Sequence, residues 1–134
     1  MERTITADDI AQFAGLSGDA YRLHLDAEFA ATKRFHEPIA HGMLTAAVAS
    51  GLLFAGGFIG DDVDALVEAH FKFIAPVFPG DRVSDTTSLV SSRPTREGSI
   101  IEHYESVISG PSGGTVLFAS WDILRSPESA SQKI

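Results

Sequence analysis

The clearest indication of the fold lies in residues 41–58, which read HGMLTAAVASGLLFAGGF. Apolar residues would cover most of the circumference of this segment as a helix, and a helix that is apolar nearly all round is a buried one. Its many small residues would let other elements pack very close to it, and the pair Gly56–Gly57 predicts its end. We therefore predict a central buried helix from His41 to about Phe58.

After this helix the hydrophobic pattern changes to a period of about two residues, which is typical of strands. Short turns with Pro or Gly separate the strand-like runs, and such turns suit antiparallel neighbours. The runs are Ala65–Phe78, Asp81–Arg93, Ser99–Ser109 and Gly114–Arg125. We predict an α+β fold in which a long antiparallel sheet wraps around the central buried helix. Such a sheet leaves an edge uncovered, so we expect a homodimer.

Shorter helical segments are predicted before the central helix. Thr6 and Asp9 have the spacing of a capping box, and apolar residues at helical spacing follow them. Gly15 and Gly18 predict the end of that helix. Residues 26–35 predict a second short helix or helical turn.

The overall composition restricts the class of protein. A chain of 134 residues with 44% hydrophobic residues suits one domain, placed at residues 1–125, with a polar tail at residues 126–134. The absence of cysteine excludes thiol nucleophiles and disulfides, and it suits a cytoplasmic protein. A net charge of −8 argues against nucleic acid as the main partner. The sequence shows no secretory signal and no apolar run long enough to span a membrane.

The side chains with chemical function are concentrated in residues 18–44. Asp19 and His24 lie five residues apart, and the pair His41–Gly42 opens the predicted central helix 17 residues after His24. A carboxylate and an imidazole can move protons, and a helix start can stabilise an oxyanion. Each residue also has an ordinary interpretation: Asp19 as a cap or Asx turn, His24 as a structural histidine, and Gly42 as a tight-packing residue. The five histidines show no spacing typical of metal ligands, so no metal is predicted.

Two segments within this region, SGDAYRLH (residues 17–24) and FHEPIAHGML (residues 35–44), resemble a known signature. They are similar to the hydratase motif of the MaoC-like dehydratases and (R)-specific enoyl-CoA hydratases. That family typically reads S-G-D-x-N-P-aliphatic-H, followed by F-x-x-P-I-[AV]-H-G-M-L. Residues 71–81 also resemble the strand and turn that follow the family's central helix. The resemblance extends over about residues 10–125.

The resemblance implies a hot-dog fold and reversible addition of water to a trans-2-enoyl thioester, giving an (R)-3-hydroxyacyl thioester. Asp19 and His24 would hold the water and share the acid and base roles. The N–H of Gly42 would donate to the thioester oxygen, with His41 in the same substrate-binding segment. Ser50 matches a family position that orients the catalytic Asp. The partner would be an acyl-CoA or acyl-carrier-protein substrate, with no cofactor beyond the CoA or phosphopantetheine of the substrate itself.

The chain departs from the signature at Tyr21 and Arg22, where the family has Asn-Pro. The loop geometry could survive, with Tyr21 lining the acyl pocket and Arg22 reaching the phosphates of the carrier. The pocket could instead serve an unusual acyl group, or the catalytic pair could be misaligned and nearly inactive. Residues 29–37 are expected to shape the acyl pocket.

Two other functions stay open on the sequence alone. The departure at Tyr21 and Arg22 allows a non-catalytic subunit that forms a heterodimer with a homologous active chain. A hot-dog thioesterase is disfavoured, because such enzymes commonly use a carboxylate on or near the central helix and residues 42–60 contain no Asp or Glu. The sequence leaves open the acyl chain length, the carrier and the physiological direction.

Overall fold

The computed structural model describes residues 1–126. The elements are β1 (Glu2–Thr4), α1 (Ala7–Ser17), α2 (Arg22–Leu25), α3 (Ala27–Ala30), α4 (Gly42–Ala55), β2 (Val63–Phe73), β3 (Arg82–Pro94), β4 (Ile100–Ser109) and β5 (Thr115–Arg125). Within these residues, no helix has the length and apolar character needed to cross a membrane. Residues 127–134 of the predicted tail lie outside the described residues. The proposed domain limits therefore stay a prediction.

The strands form one antiparallel sheet in the order β1-β3-β4-β5-β2. Helix α4 packs against it, and the buried core joins apolar residues of α4 to the inward-facing residues of β4 and β5. A curled antiparallel sheet around one central helix is the hot-dog arrangement. The predicted α+β fold class is therefore confirmed.

The middle of the sheet holds the largest side chain of the core. Trp121 of β5 is 2% exposed, and its indole N–H donates to the hydroxyl of Ser106 on β4 over 2.9 Å. Because this polar atom is paired, burial of the aromatic ring is not offset by an unsatisfied donor. The core beneath α4 is therefore well defined where the helix rests on the sheet.

The helix predictions hold with small corrections. Helix α4 begins at Gly42 and ends at Ala55, close to the predicted limits. Thr6 and Asp9 form a capping box: the Thr6 hydroxyl accepts the N–H of Asp9, and the Asp9 carboxylate accepts the N–H of Thr6. The predicted end at Gly15 was wrong, because α1 continues through it to Gly18, whose φ of 80° ends the helix in the left-handed region.

Two short elements were missed and one strand was predicted too long. Strand β1 is a polar three-residue segment with no internal pattern, and only its pairing with β3 reveals it. Helix α2 has four residues, too few for periodicity. Strand β2 ends at Phe73 rather than Phe78, since Pro76 lacks an N–H for the sheet. Beyond it, the carbonyl of Val77 accepts the N–H of Ala40 over 2.7 Å, which supports the segment leading into α4.

Candidate active site

The turn after α1 places the carboxylate of Asp19 at the protein surface. The Ser17 hydroxyl accepts the N–H of Asp19 over 3.1 Å, and Oδ1 of Asp19 accepts the N–H of Tyr21 over 3.4 Å. This second bond is the Asx-turn interaction that the sequence allowed. The other carboxylate oxygen, Oδ2, accepts no hydrogen bond from the described residues. The structural and catalytic interpretations of Asp19 are therefore compatible, because the turn uses only one of its oxygens.

Helix α2 presents His24 with a defined tautomer. Nδ1 of His24 lies 2.8 Å from the carbonyl oxygen of Ile39. A carbonyl can only accept, so Nδ1 carries the hydrogen, and in the neutral ring Nε2 keeps a lone pair. Ile39 belongs to the segment that leads into α4, so this bond fixes the imidazole relative to the central helix.

His41 contacts both of the other candidate groups. Its Nε2–H donates to the backbone carbonyl of Asp19 over 2.8 Å. Its ring stacks on the ring of His24, with 3.8 Å between the centroids and 25° between the planes. The side chain is 2% exposed, and its Nδ1 has no hydrogen-bond partner among the described residues. The predicted substrate-binding role of His41 stays untested, but its ring is buried behind the candidate site.

The chain brings Asp19, His24 and His41 together from positions up to 22 residues apart. One carboxylate oxygen and one nitrogen from each ring all lie within 4.8 Å of one another. Such a set can share a proton or a water molecule, and by its donor types it could also bind a metal ion. Both imidazoles already use one nitrogen on a backbone carbonyl, which restricts the directions left for a metal. The sequence-based expectation of no metal stays a prediction.

A cavity of about 260 Å³ opens beside the first turn of α4. Gly42 is the first residue of that helix and lines the cavity, and its N–H meets no acceptor among the described residues. The other walls are mainly apolar and include Phe35, Ile39, Phe73, Ile74, Val77 and Val116. An apolar cavity with a free N–H at the positive end of a helix suits an acyl group whose carbonyl oxygen takes that hydrogen bond. Phe35 is the member of residues 29–37 that reaches this cavity.

Ser50 lies two turns along α4 from Gly42. Its hydroxyl donates to the carbonyl of Ala47 within the helix over 2.6 Å. No hydrogen bond joins it to Asp19 in the described part of the chain. Its predicted role in orienting Asp19 therefore stays a prediction without a contact that supports it.

The backbone at Tyr21 and Arg22 has the path that an Asn-Pro pair would take. Tyr21 has φ −59° and ψ 131°, the extended conformation that a following proline favours. Arg22 is the first residue of α2, the helical position where proline is best tolerated. The side chain of Tyr21 is half exposed and packs edge-on against the rings of His24 and Phe29. The substitution therefore changes the side chains around the site and preserves the turn that carries Asp19 and His24.

Two cations lie over the ring of Phe29 on α3, next to Tyr21. The Arg22 guanidinium is 4.4 Å from the ring centroid and the Lys33 ammonium is 5.0 Å from it. Arg22 also has a 3.5 Å contact with Asp26. The carboxylate of Asp26 accepts the N–H groups of Phe29 and Glu28. These hydrogen bonds, chiefly the one from Phe29, lower the pKa of the Asp26 carboxyl below its usual value. The capped turn thus fixes Phe29 beneath two positive charges.

Phe73 was not predicted as part of the site. It ends β2, lines the cavity, and its ring lies so close to Gly42 that an added Cβ there would be 3.0 Å from two ring carbons. The two residues are 31 positions apart, and no local pattern connects them. Only the sheet topology could have shown this contact.

The fold and the site define a hot-dog protein with an Asp/His pair beside the N-terminus of its central helix. The model of the MaoC like domain family matches residues 1–110. The chain therefore belongs to this family, and the resemblance seen in the sequence is confirmed.

Characterised and uncharacterised relatives share most of the chain. The (R)-specific enoyl-CoA hydratase of Aeromonas caviae is 39% identical over 97 residues, which cover 70% of this chain and 71% of that protein. The uncharacterized protein YdeM of Bacillus subtilis is 38% identical over 93 residues, covering 69% of this chain and 65% of YdeM. The chain thus spans just under two thirds of the length of YdeM.

Solved structures agree with the fold. The monoamine oxidase regulatory protein of Archaeoglobus fulgidus superimposes with a TM-score of 0.88 at 32% identity, covering 93% of this chain and 84% of that one. The (R)-hydratase of A. caviae involved in PHA biosynthesis gives a TM-score of 0.79 at 31% identity, covering 95% and 92%. Family membership and these relatives support a hydratase or dehydratase class of activity.

Proposed function

We propose that this protein catalyses the reversible hydration of a trans-2-enoyl thioester to an (R)-3-hydroxyacyl thioester. One observation carries the proposal: the Asp19 carboxylate and the His24 imidazole lie within 4.8 Å of each other, and His24 is tied to the segment that ends at Gly42. That segment leads into the helix whose first residue, Gly42, lines an apolar cavity. These contacts support a site in which Asp19 and His24 activate water and the Gly42 N–H stabilises the oxyanion.

The reaction follows from these groups. A water molecule held between Asp19 and His24 gives its hydroxyl to C3 of the enoyl group. One of the two residues takes the proton released by the water, and the other delivers a proton to C2, so the atoms of one water are added across the double bond. The negative charge that develops on the thioester oxygen accepts a hydrogen bond from Gly42. Dehydration is the same path in reverse.

The carrier is the second part of the proposal. Arg22 and Lys33 lie over Phe29, and Tyr21 connects Phe29 to His24 by ring contacts. These two positive charges suit phosphate groups, and they lie on the side of His24 that Tyr21 and Phe29 occupy. We propose that they bind the phosphates of CoA or phosphopantetheine.

We also propose that the protein acts as a homodimer. Strand β2 lies at an edge of the sheet and has no partner on its outer side within the described residues. Apolar side chains on and just after it are exposed, namely Leu66, Val67, Phe73 and Ile74. An apolar edge strand of this length is a site for pairing with a second chain. Two copies joined through β2 would cover that edge.

We expect the chain purified alone to hydrate short and medium trans-2-enoyl-CoA substrates. The measurement is the loss of the ultraviolet band of the enoyl thioester, with the (R)-3-hydroxyacyl product identified by chiral analysis. Light scattering on the same sample should give twice the mass of the chain. Carrier-protein thioesters are assayed in parallel, because the sequence leaves the carrier open.

The other outcomes separate the competing functions. Release of free thiol without hydration would identify a thioesterase. Turnover only after addition of a homologous MaoC-like chain would identify a subunit of a heterodimer. If no enoyl thioester on either carrier reacts under any of these conditions, the proposed function is wrong.

The phosphate contact gives a separate prediction at Arg22. Arg22→Met should raise KM for an enoyl-CoA about fivefold with little change in kcat, as expected for one exposed charged contact worth about 1 kcal/mol. The same enoyl group on N-acetylcysteamine has no phosphate, so its KM should not change. Arg96→Met, in the turn between β3 and β4, is the matched control. An equal effect on both thioesters would remove Arg22 from the phosphate site.

A further inference from the structure

The side chain of His41 contacts both members of the proposed acid/base pair. Its Nε2–H donates to the carbonyl of Asp19, and its ring face lies on the ring of His24. On another side the edge of Phe13 packs against it, with 4.9 Å between the centroids. It also precedes Gly42 directly, at the N-cap of α4. One buried side chain therefore connects the turn of Asp19, the helix of His24 and the start of the central helix.

Stability of the core does not explain an imidazole at this position. Nδ1 of His41 is buried without a hydrogen-bond partner among the described residues, and a buried unpaired polar atom costs free energy. A phenylalanine would fill a similar space between Phe13 and His24 without that cost. What it lacks is the donor that holds the Asp19 carbonyl. The hydrogen bond to the Asp19 carbonyl is thus the property that distinguishes His41 from a phenylalanine at this position.

We propose that His41 is a positioning residue that sets the distance and orientation between Asp19 and His24. This inference rests on the proposed hydratase function. The bond to the Asp19 carbonyl fixes the turn that carries the carboxylate. The stacked ring of His41 fixes the plane of the His24 ring. Because Nδ1 of His24 is also bonded to the Ile39 carbonyl, the direction in which Nε2 points is fixed as well. Both contacts come from a rigid helix start, which suits a site that must hold its geometry to a fraction of an ångström.

Two substitutions separate the contacts. His41→Phe keeps a flat ring against His24 and removes the donor to Asp19. His41→Gln keeps a donor at about the reach of Nε2 and removes the ring. We expect His41→Phe to lower kcat about 100-fold with KM within twofold, because a misplacement of about 1 Å costs a factor of this size. His41→Gln should retain more of kcat than His41→Phe. The pH profile of kcat should change shape in both, since Asp19, Tyr21 and His41 are the groups that face His24.

A merely structural role is tested by Leu53→Ala, a buried change in α4 outside the site. This variant should lose thermal stability and keep kcat. If His41→Phe remains folded with kcat within twofold of the wild type and an unchanged pH profile, the positioning role is excluded. It is also excluded if Leu53→Ala lowers kcat by as much as His41→Phe at similar stability.

An NMR measurement tests the inference independently of turnover. In the wild type, the ring ¹⁵N signals of His24 should show the hydrogen on Nδ1, and the carbonyl ¹³C signal of Asp19 should show a hydrogen-bonded group. His41→Phe should shift the Asp19 carbonyl signal, and His41→Gln should restore it. If the wild type hydrates no thioester, the proposed function fails while these signals still test the geometry. An Asp19 carbonyl signal that is unchanged in His41→Phe would overturn the inference.

Discussion

Replacing Asp19 by Asn is expected to lower kcat for enoyl-CoA hydration by about three orders of magnitude, and His24→Ala should do the same. Positioned acid/base groups contribute roughly 10²–10⁴-fold, and here both would act on one water. Asn keeps the oxygen that accepts the N–H of Tyr21, so the turn should survive while the carboxylate is lost. The measurement is steady-state kinetics on variants whose circular dichroism and melting temperature match the wild type.

Controls for these two variants lie away from the site. Asp61 precedes β2, and His103 lies on β4 between β3 and β5. Asp61→Asn and His103→Ala therefore remove the same types of group elsewhere. The double variant Asp19→Asn/His24→Ala should be little slower than either single variant, because groups that act together in one step are not additive. Turnover within tenfold of the wild type in either single variant would remove that residue from the catalytic pair.

The second large effect is expected at Gly42. Gly42→Pro should lower kcat by about 10²–10³, the range found when one oxyanion donor is removed. Proline has no N–H, yet it suits this first helical position, and His41 has φ −57° and ψ 136°, which a following proline accepts. The substitution should therefore remove the donor and leave the helix intact, which thermal unfolding would verify.

Gly42→Ala is the matched control for this change. Both variants place a Cβ about 3.0 Å from the ring of Phe73, but alanine keeps the N–H. Any displacement of the Phe73 ring is therefore common to the two variants, and only the loss of the N–H distinguishes them. We expect Gly42→Ala to keep most of kcat. If the two variants lose the same activity, crowding against Phe73 rather than loss of the N–H is the cause.

The elements with a strong internal pattern were predictable from the sequence. Helix α4 is apolar nearly all round, and the capping box at Thr6 and Asp9 has a defined spacing. Strand β1 and helix α2 were not predictable, since three or four residues show no period and exist because of their neighbours. The end of β2 was misplaced because residues 74–78 continue the apolar run while leaving the sheet to support the entry of α4.

The residues of the candidate site could be predicted from the sequence, but the contacts between them could not. Asp19, His24 and Gly42 followed from the resemblance to a family signature. The stacking of His41 on His24 and the contact of Phe73 with Gly42 could not be seen, because both depend on the path of the chain between distant segments. Ser50 shows the opposite case: it matches a family position in the sequence, but its hydroxyl bonds to Ala47 and makes no hydrogen bond to Asp19 in the described structure.

The backbone angles at Tyr21 have a consequence for how such chains are found. A signature that requires Asn-Pro identifies a bend of the backbone by the two residues that usually form it. In this chain Tyr21 and Arg22 adopt the same backbone conformation. A search for the exact residues of the signature would score this chain as an incomplete match. A comparison of backbone conformation would score it as a complete match, with different side chains around the same turn. At position 22 this chain therefore has a charged side chain in place of a rigid ring, while the backbone keeps the same bend.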